Sequence, residues 1–255
     1  MAGSIVQPIL PVRPYPWRAD SEAMRASLWR GLRLAYVPRR QGLAYARNLV
    51  NGAPAGTTSI AYIESPYGTA SVTDGTFTGL LFPSPNDMPN PIINLTLFHI
   101  VYPIVPGTCF GTGGATGDAA LDITYDLTNT RFTMVSGTVF NGPTNCPGSQ
   151  WYMVGAIKRG TSKRLWVNGI DVGGDTSASN VKAPTDIGVH RRGTAISSRM
   201  QGYIALALLW DRGLAQAEMV RVFADPFGWL RPGAAIVAGG IPAGVLAALG
   251  SWVDD

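Results

Sequence analysis

The 255-residue sequence predicts an all-β chain, a two-sheet antiparallel β-sandwich with one short C-terminal helix and extended arms at both ends. Three observations carry this expectation. Gly (31) and Pro (19) together make about one residue in five a turn former. Short apolar runs rich in β-branched and aromatic residues recur between those turns, as strands of a sandwich require. Charged residues are only 14% of the chain, well below the ~25% of an ordinary soluble domain, so much of the exterior is expected to touch other subunits. The length suits one large sandwich better than two small domains.

Residues 1–30 read as an extended basic arm. Pro8, Pro11, Pro14 and Pro16 favour polyproline geometry, and Asp20 to Trp29 is expected to form one short helix capped by Asp20 or Ser21. Arg13, Arg18, Arg25 and Arg30, followed by Arg33, Arg39, Arg40 and Arg47, face only Asp20 and Glu22 in the first fifth of the chain. They alternate with Trp17, Trp29, Pro and Leu and lack lysine company, which argues against nucleic acid. A docking segment pairing with carboxylates of a neighbouring subunit is the better reading, because guanidinium forks bind carboxylates bidentately.

Residues 31–231 read as the sandwich. Gly31 to Pro38, Gly79 to Phe82, Leu95 to Tyr102, Leu121 to Leu127 and Arg131 to Val135 are its first strand candidates. Trp151, Met153, Gly155 and Ile157 share one face of the next, with Tyr152, Val154 and Ala156 on the other. Neither face is polar, so this strand is expected to be central. Lys158 to Lys163 reads as a hairpin tip before Arg164 to Val167, and Asn168-Gly169 is the strongest type I′ turn signal in the chain. Ile170 to Val172 starts the return strand. Gly202 to Trp210 is a long apolar run covered on both faces. The period then changes: Leu214, Met219, Val222 and Phe223 line one side of a short helix, which Asp225-Pro226 ends because proline disfavours helical geometry in the residue before it.

Residues 232–255 form an apolar tail. Ala234 to Val253 carries no charge and nominally reaches membrane-span length, but its glycines, Pro242 and alanine-rich character favour an extended packed tail over a span. No secretory signal is expected, since prolines and arginines interrupt the N-terminus.

Catalysis is not expected. Glycoside hydrolysis needs two carboxyl groups about 5 to 10 Å apart, and the glutamates are only Glu22, Glu64 and Glu218. Asp122 and Asp126 share a strand face but lie ~13 Å apart at ~3.3 Å per residue, which suits outward-facing solubilising acids. His99, inside an apolar strand, is expected to be a packed, satisfied imidazole. His190 is expected on a surface loop, its pKa depressed by Arg191 and Arg192. Gly111 to Gly117 lacks the lysine of a phosphate loop and reads as a loop tip. Cys109 and Cys146 are expected reduced and separate, being too few for a disulfide scaffold or a four-ligand zinc site.

The segment from Gln150 to Leu230 resembles LamG-like, concanavalin A-like jelly-roll domains of the type found in bacteriophage structural proteins. Trp166-Val-Asn168-Gly169 is similar to that family's hairpin, with Trp166 in place of the usual tyrosine. Gly31 to Pro38 resembles its opening strand. Gly202 leading to Trp210, and Arg212, Leu214, Glu218 and Pro226 beyond, are similar to its last strand, closing helix and exit. Pro83 and Pro85 depart from the family's turn after Gly79 to Phe82. The resemblance implies a jelly-roll fold with Trp166, Asn168, Gly169, Gly202, Trp210 and Pro226 as signature residues. It also implies a virion protein assembled in the bacterial cytoplasm, decorating the capsid or attached to the tail. Arg13, Arg18, Arg25, Arg30, Trp17 and Trp29 are then the expected contacts to capsid or tail proteins, and a homo-oligomer is expected. The alternative it implies is a carbohydrate-binding adhesin for a host glycan. Tyr67, Trp151 and Trp166 are the aromatics such a role would draw on, although Trp in this fold is expected mostly in the core. Calcium at a sandwich rim would fall to Asp118, Asp171, Asp175 and Asp186, but these make no dense acidic loop, and no cofactor is expected.

Overall fold

The computed structural model describes residues 26–38, 46–56, 60–73, 79–85, 87–112, 120–177, 186–191 and 199–230. Within them the chain forms two antiparallel sheets packed face to face, with a short α-helix near the C-terminal end and a helical turn at residues 26–29, where the sequence places the end of the helix expected to finish at Trp29. The larger sheet runs β12 (Ile170–Asp175), β11 (Ser162–Val167), β10 (Tyr152–Arg159), β5 (Asn94–Val105), β14 (Gln201–Trp210), β3 (Gly68–Thr73) and β2 (Ala61–Ser65). β1 (Leu32–Tyr36) shares with β3 one flank of β14, pairing with its C-terminal half while β3 pairs with its N-terminal half. The smaller sheet runs β4 (Leu80–Pro83), β13 (Asp186–Val189), β6 (Gly107–Gly111), β7 (Asp122–Asp126), β8 (Arg131–Ser136) and β9 (Thr138–Asn141).

The two faces of β10 expected from sequence are both covered. Tyr152, Val154 and Ala156 point between the sheets, into a core with Leu97, Val101, Phe110, Ile123, Phe132, Leu165, Ile187 and Leu209. Ile157 points outward, into a second apolar layer with Leu28, Phe98, Ile100, Leu206, Leu208, Trp210, Leu214, Met219, Val222 and Trp229. Each such side chain contributes about 1.5–3 kcal/mol when fully buried. The outer layer is made by α1 (Gln216–Ala224) lying over the large sheet. It can approach because Gly155 has no side chain: a Cβ there would stand 2.5 Å from Met219 Cε.

The Asn168-Gly169 turn joins β11 to β12 with φ of 49° and 83°, the positive values that a type I′ turn needs. The preceding hairpin differs from its expected charged tip. Lys158 and Lys163 are register partners, and both point inward and are buried. Lys163 Nζ donates to Ser136 O (3.1 Å), Thr138 Oγ1 (2.6 Å) and Ser177 Oγ (3.1 Å) and pairs with Asp175 (2.9 Å). Lys158 Nζ donates to Ile92 O at 3.0 Å, and burial, with Lys163 nearby, lowers its pKa to about 8. The two ammonium groups thus serve carbonyls at this end of the sandwich, that of Ile92 just before β5 and that of Ser136 at the end of β8.

β2, β3, β6, β9 and β13 were not among the strand candidates. β2 is largely exposed, so it carries no apolar run, and β9 and β13 have only four residues each.

Candidate functional site

Four aromatic residues meet on the outer face of the large sheet, away from α1. Tyr102 of β5 and Tyr203 of β14 are register partners, so their rings project from the same face and stack with centroids 5.1 Å apart at 28°. Trp151, one residue before β10, lies 5.5 Å from Tyr102 and 6.3 Å from Tyr203. Tyr67, in the β2–β3 turn, meets Trp151 edge-on at 5.5 Å. Its position is set by that turn, where Ser65 Oγ accepts the Tyr67 N–H and donates to Gly68 O. Burial raises the Tyr67 hydroxyl pKa.

All four rings are half-buried. Among the described residues none of the three tyrosine hydroxyls donates or accepts a hydrogen bond within the protein, so each remains available to a ligand or to water. The arrangement joins flat π faces, which attract the C–H groups of a ligand, to hydroxyls at the ring edges. Gly202, beside Tyr203, has φ 144°, and a side chain there would strike the Tyr102 carbonyl. The close pairing of β5 and β14 under the stack therefore needs glycine.

Of the aromatics drawn on for sugar, Tyr67 and Trp151 are brought together, while Trp166 lies apart, 4% exposed and stacked on Phe223 at 6.1 Å. Tyr102 and Tyr203 were missed. They sit in long apolar runs whose two faces look alike, and only the β5–β14 register puts them side by side.

The other signature residues serve the outer layer. Trp210 is fully buried, its indole Nε1 donating to Leu28 O at 2.6 Å and its ring tilted against Trp229. Pro226 is buried just after α1. Of the docking candidates, Arg13, Trp17, Arg18 and Arg25 lie outside the described residues. Arg30 is exposed, its carbonyl accepting from Arg212 Nε at 2.7 Å. Trp29 is spent within the chain: its Nε1 donates to Trp229 O at 3.1 Å and its ring meets Trp229 edge-on.

Several expected surface groups are buried. Asp122 is fully buried, its Oδ1 sharing the Thr112 N–H (3.0 Å) with the Leu121 carbonyl (3.2 Å) just past the end of β6; it is not an outward solubilising acid. His190 is not on a surface loop either. Its ring is fully buried, with Nε2 3.0 Å from Ser71 Oγ. Burial first, and nearby His99 second, lower its pKa to about 3; the flanking arginines are not the cause. His99 is fully buried, with a pKa lowered to about 3 by burial. It is packed but unsatisfied, since neither ring nitrogen has a hydrogen bond among the described residues.

Cys109 and Cys146 are buried free thiols, and burial raises the pKa of both. Glu218 is engaged by Arg212 in the outer layer, and Glu64 is exposed on β2. Asp171 pairs with Arg164 and Asp175 with Lys163, while Asp118, Glu22 and residues 113–117 lie outside the described residues. Among the described residues no group of three or more His, Cys, Asp or Glu is placed to hold a metal ion, and no helix is long and apolar enough to cross a membrane.

The sequence matches no protein-family model and no curated protein. Its fold is similar to several solved structures. Domain 4 of an extracellular arabinanase from Geobacillus stearothermophilus, solved in complex with arabinotriose, aligns with a TM-score of 0.57 at 16% identity, covering 76% of this chain and 98% of that one. The binding domain of Paraclostridial Mosquitocidal Protein 1 aligns with a TM-score of 0.61 at 8% identity, covering 80% and 53%. Trypanosoma rangeli sialidase aligns with a TM-score of 0.59 at 15% identity, covering 77% of this chain and 33% of the enzyme. The chain thus spans about a third of the sialidase and about half of the mosquitocidal fragment. At these identities the likeness is one of fold: the chain is a two-sheet antiparallel β-sandwich.

Proposed function

We propose that this chain is a glycan-recognition sandwich of a bacteriophage particle, a binding module without turnover, held by its terminal segments and presenting the Tyr67, Tyr102, Trp151 and Tyr203 platform to a host glycan. The platform is the observation that carries the reading. A pyranose or furanose ring has an apolar face of C–H groups that stacks on aromatic rings, while its hydroxyls need partners at the rim. The solved arabinanase domain with the same fold holds arabinotriose, which supports a saccharide as the ligand. The phage setting is supported by the resemblance of the Asn168-Gly169 hairpin and closing helix to phage LamG-like domains.

A glycan panel read with the intact protein and with Trp151→Ala tests the proposal. The expected result is saturable binding to a subset of glycans, weakened about tenfold by Trp151→Ala, since losing one stacked ring removes about 1–1.5 kcal/mol. Absence of any saturable binding, with or without calcium, sinks the glycan reading.

One observation favours an architectural role instead. Trp29 and Trp229 touch, so the first and last described segments of the chain meet at one corner of the sandwich, which a single partner could cover. That corner lies by Trp210, seven residues along β14 from Tyr203, or ~23 Å at ~3.3 Å per residue. Cryo-electron microscopy of particles separates the two: regular density over the head supports decoration, and density at the tail tip supports the adhesin.

A further inference from the structure

A second site lies toward the other end of β10 from Trp151, where that strand nears the start of α1. It is a cleft of about 290 Å³ lined by Ile157, Arg159, Ser162, Arg164, Trp166, Asp171 and Gln216. Its size sits near the ~300 Å³ lower end of small-molecule sites and suits one sugar-sized unit. Its side chains come from three consecutively paired strands, β10, β11 and β12, and from the start of the helix. Ile157 is the register partner of Arg164, and Arg159 that of Ser162, so the two guanidinium groups lie diagonally on one sheet face.

The charges in the cleft do not cancel. Arg164 is held by Asp171, whose Oδ2 accepts from Nε at 3.0 Å and from Nη2 at 2.6 Å. Asp171 Oδ1 is occupied by the Gly173 N–H. Arg164 Nη1 therefore has no hydrogen bond among the described residues, and the side chain is 52% exposed. Arg159 is oriented by donation from Nη2 to Leu214 O, which leaves its Nε and Nη1 without a partner among the described residues. Two cations thus face one carboxylate, both locked in place by their other nitrogens.

Trp166 supplies the independent observation. It lines the cleft, is 4% exposed, and its indole Nε1 has no hydrogen bond among the described residues. A buried indole N–H without an acceptor is uncommon in a folded protein, and this one belongs to a ring that forms a wall of the cleft.

We propose that this cleft binds a saccharide unit bearing a carboxylate. The carboxylate is taken by Arg159 and Arg164, whose planar donors match it bidentately. The sugar hydroxyls are met by the amide of Gln216, the hydroxyl of Ser162 and the indole N–H of Trp166. This site stands independently of the aromatic platform and survives if the platform binds nothing.

The test is titration of the full chain, ¹⁵N-labelled, with trigalacturonate and with sialyllactose, against the neutral sugars galactotriose and lactose. The expected result is that an acidic sugar moves the Trp166 indole N–H resonance in a saturable manner, whereas the neutral sugars do not. Arg164→Ala weakens that binding about tenfold, Trp166→Phe weakens it about fivefold while keeping the stack on Phe223, and Trp151→Ala leaves it unchanged. Arg164 is half exposed, so its replacement tests the site without endangering the fold. Equal binding of neutral and acidic sugars, or no binding of either acidic sugar, overturns the proposal. So does full affinity in Arg164→Ala, or inorganic phosphate binding as tightly as the saccharides.

Discussion

The buried imidazoles of His99 and His190 make this protein acid-sensitive. Each is fully buried and each pKa is lowered to about 3, against about 6.5 in an unfolded chain. The unfolded state therefore takes up protons that the folded state refuses. The stability these neutral rings permit is fully present above pH 6.5 and is lost as pH falls from there toward 3. Between pH 7 and 5 the two together cost about 4 kcal/mol, as an order of magnitude. Urea denaturation at pH 7, 6 and 5 is expected to show that fall, and His99→Leu to remove about half of it. A stability that stays flat down to pH 5 would mean the rings are not buried neutral. Sequence revealed His99 in an apolar strand but misled on His190, because its arginine neighbour spoke of surface. Its burial depends on Ser71, 119 residues away, and no local pattern encodes that partner.

At the scale of elements, α1 has no capping side chain of its own, since Ala215 stands at its N-cap. Glu218 replaces it. Its Oε2 accepts from Ala215 N at 2.7 Å, both carboxylate oxygens accept from Arg212 at 2.7 Å, and Oε1 accepts from Ser27 Oγ. Burial opposes ionisation, but these donors outweigh it and hold the pKa to about 2. A depressed carboxyl stabilises above its unfolded pKa, near 4.5, and loses that contribution as pH falls toward 2. This window lies below that of the histidines. Glu218→Ala is expected to cost about 2 kcal/mol at pH 7, a fall of about 4–8 °C in melting temperature for a chain of this size. An unchanged melting temperature would show that the carboxylate holds nothing. The helix itself was legible because the spacing of Leu214, Met219 and Val222 changes the period from two to nearly four. What its N-terminus grips was not legible, because Ser27 lies 191 residues away.

At the scale of the whole molecule, residues 26–30 belong to the packing of the sandwich although the sequence groups them with the arm. Leu28 is fully buried, its carbonyl accepts from Trp210, and the carbonyls of Ser27 and Arg30 accept from Arg212. A chain of residues 26–230 is expected to melt as one cooperative unit within a few degrees of the full protein, because it keeps every contact described above. A chain of residues 31–230 is expected to lose at least about 3 kcal/mol, from one emptied leucine site and three orphaned donors. Calorimetry of the two truncations decides this, and equal melting would return residues 26–30 to the arm.

By itself the sequence determined the two-sheet sandwich, its central strands and its closing helix. Turn residues, apolar runs and the Asn168-Gly169 dipeptide act locally, over spans that a reader of the chain can see. Only the tertiary structure decided which polar residues are inside and which aromatics form a surface. Lys158, Lys163, Asp122 and His190 look like surface groups in sequence, yet each is buried against partners from another strand or loop. Tyr67, Tyr102, Trp151 and Tyr203 are spread over 137 positions of the chain, and they become one platform because β5, β10 and β14 are neighbours in a sheet. Strand order and register are set by which apolar faces bury best together, a property of the assembled layers that no single segment carries.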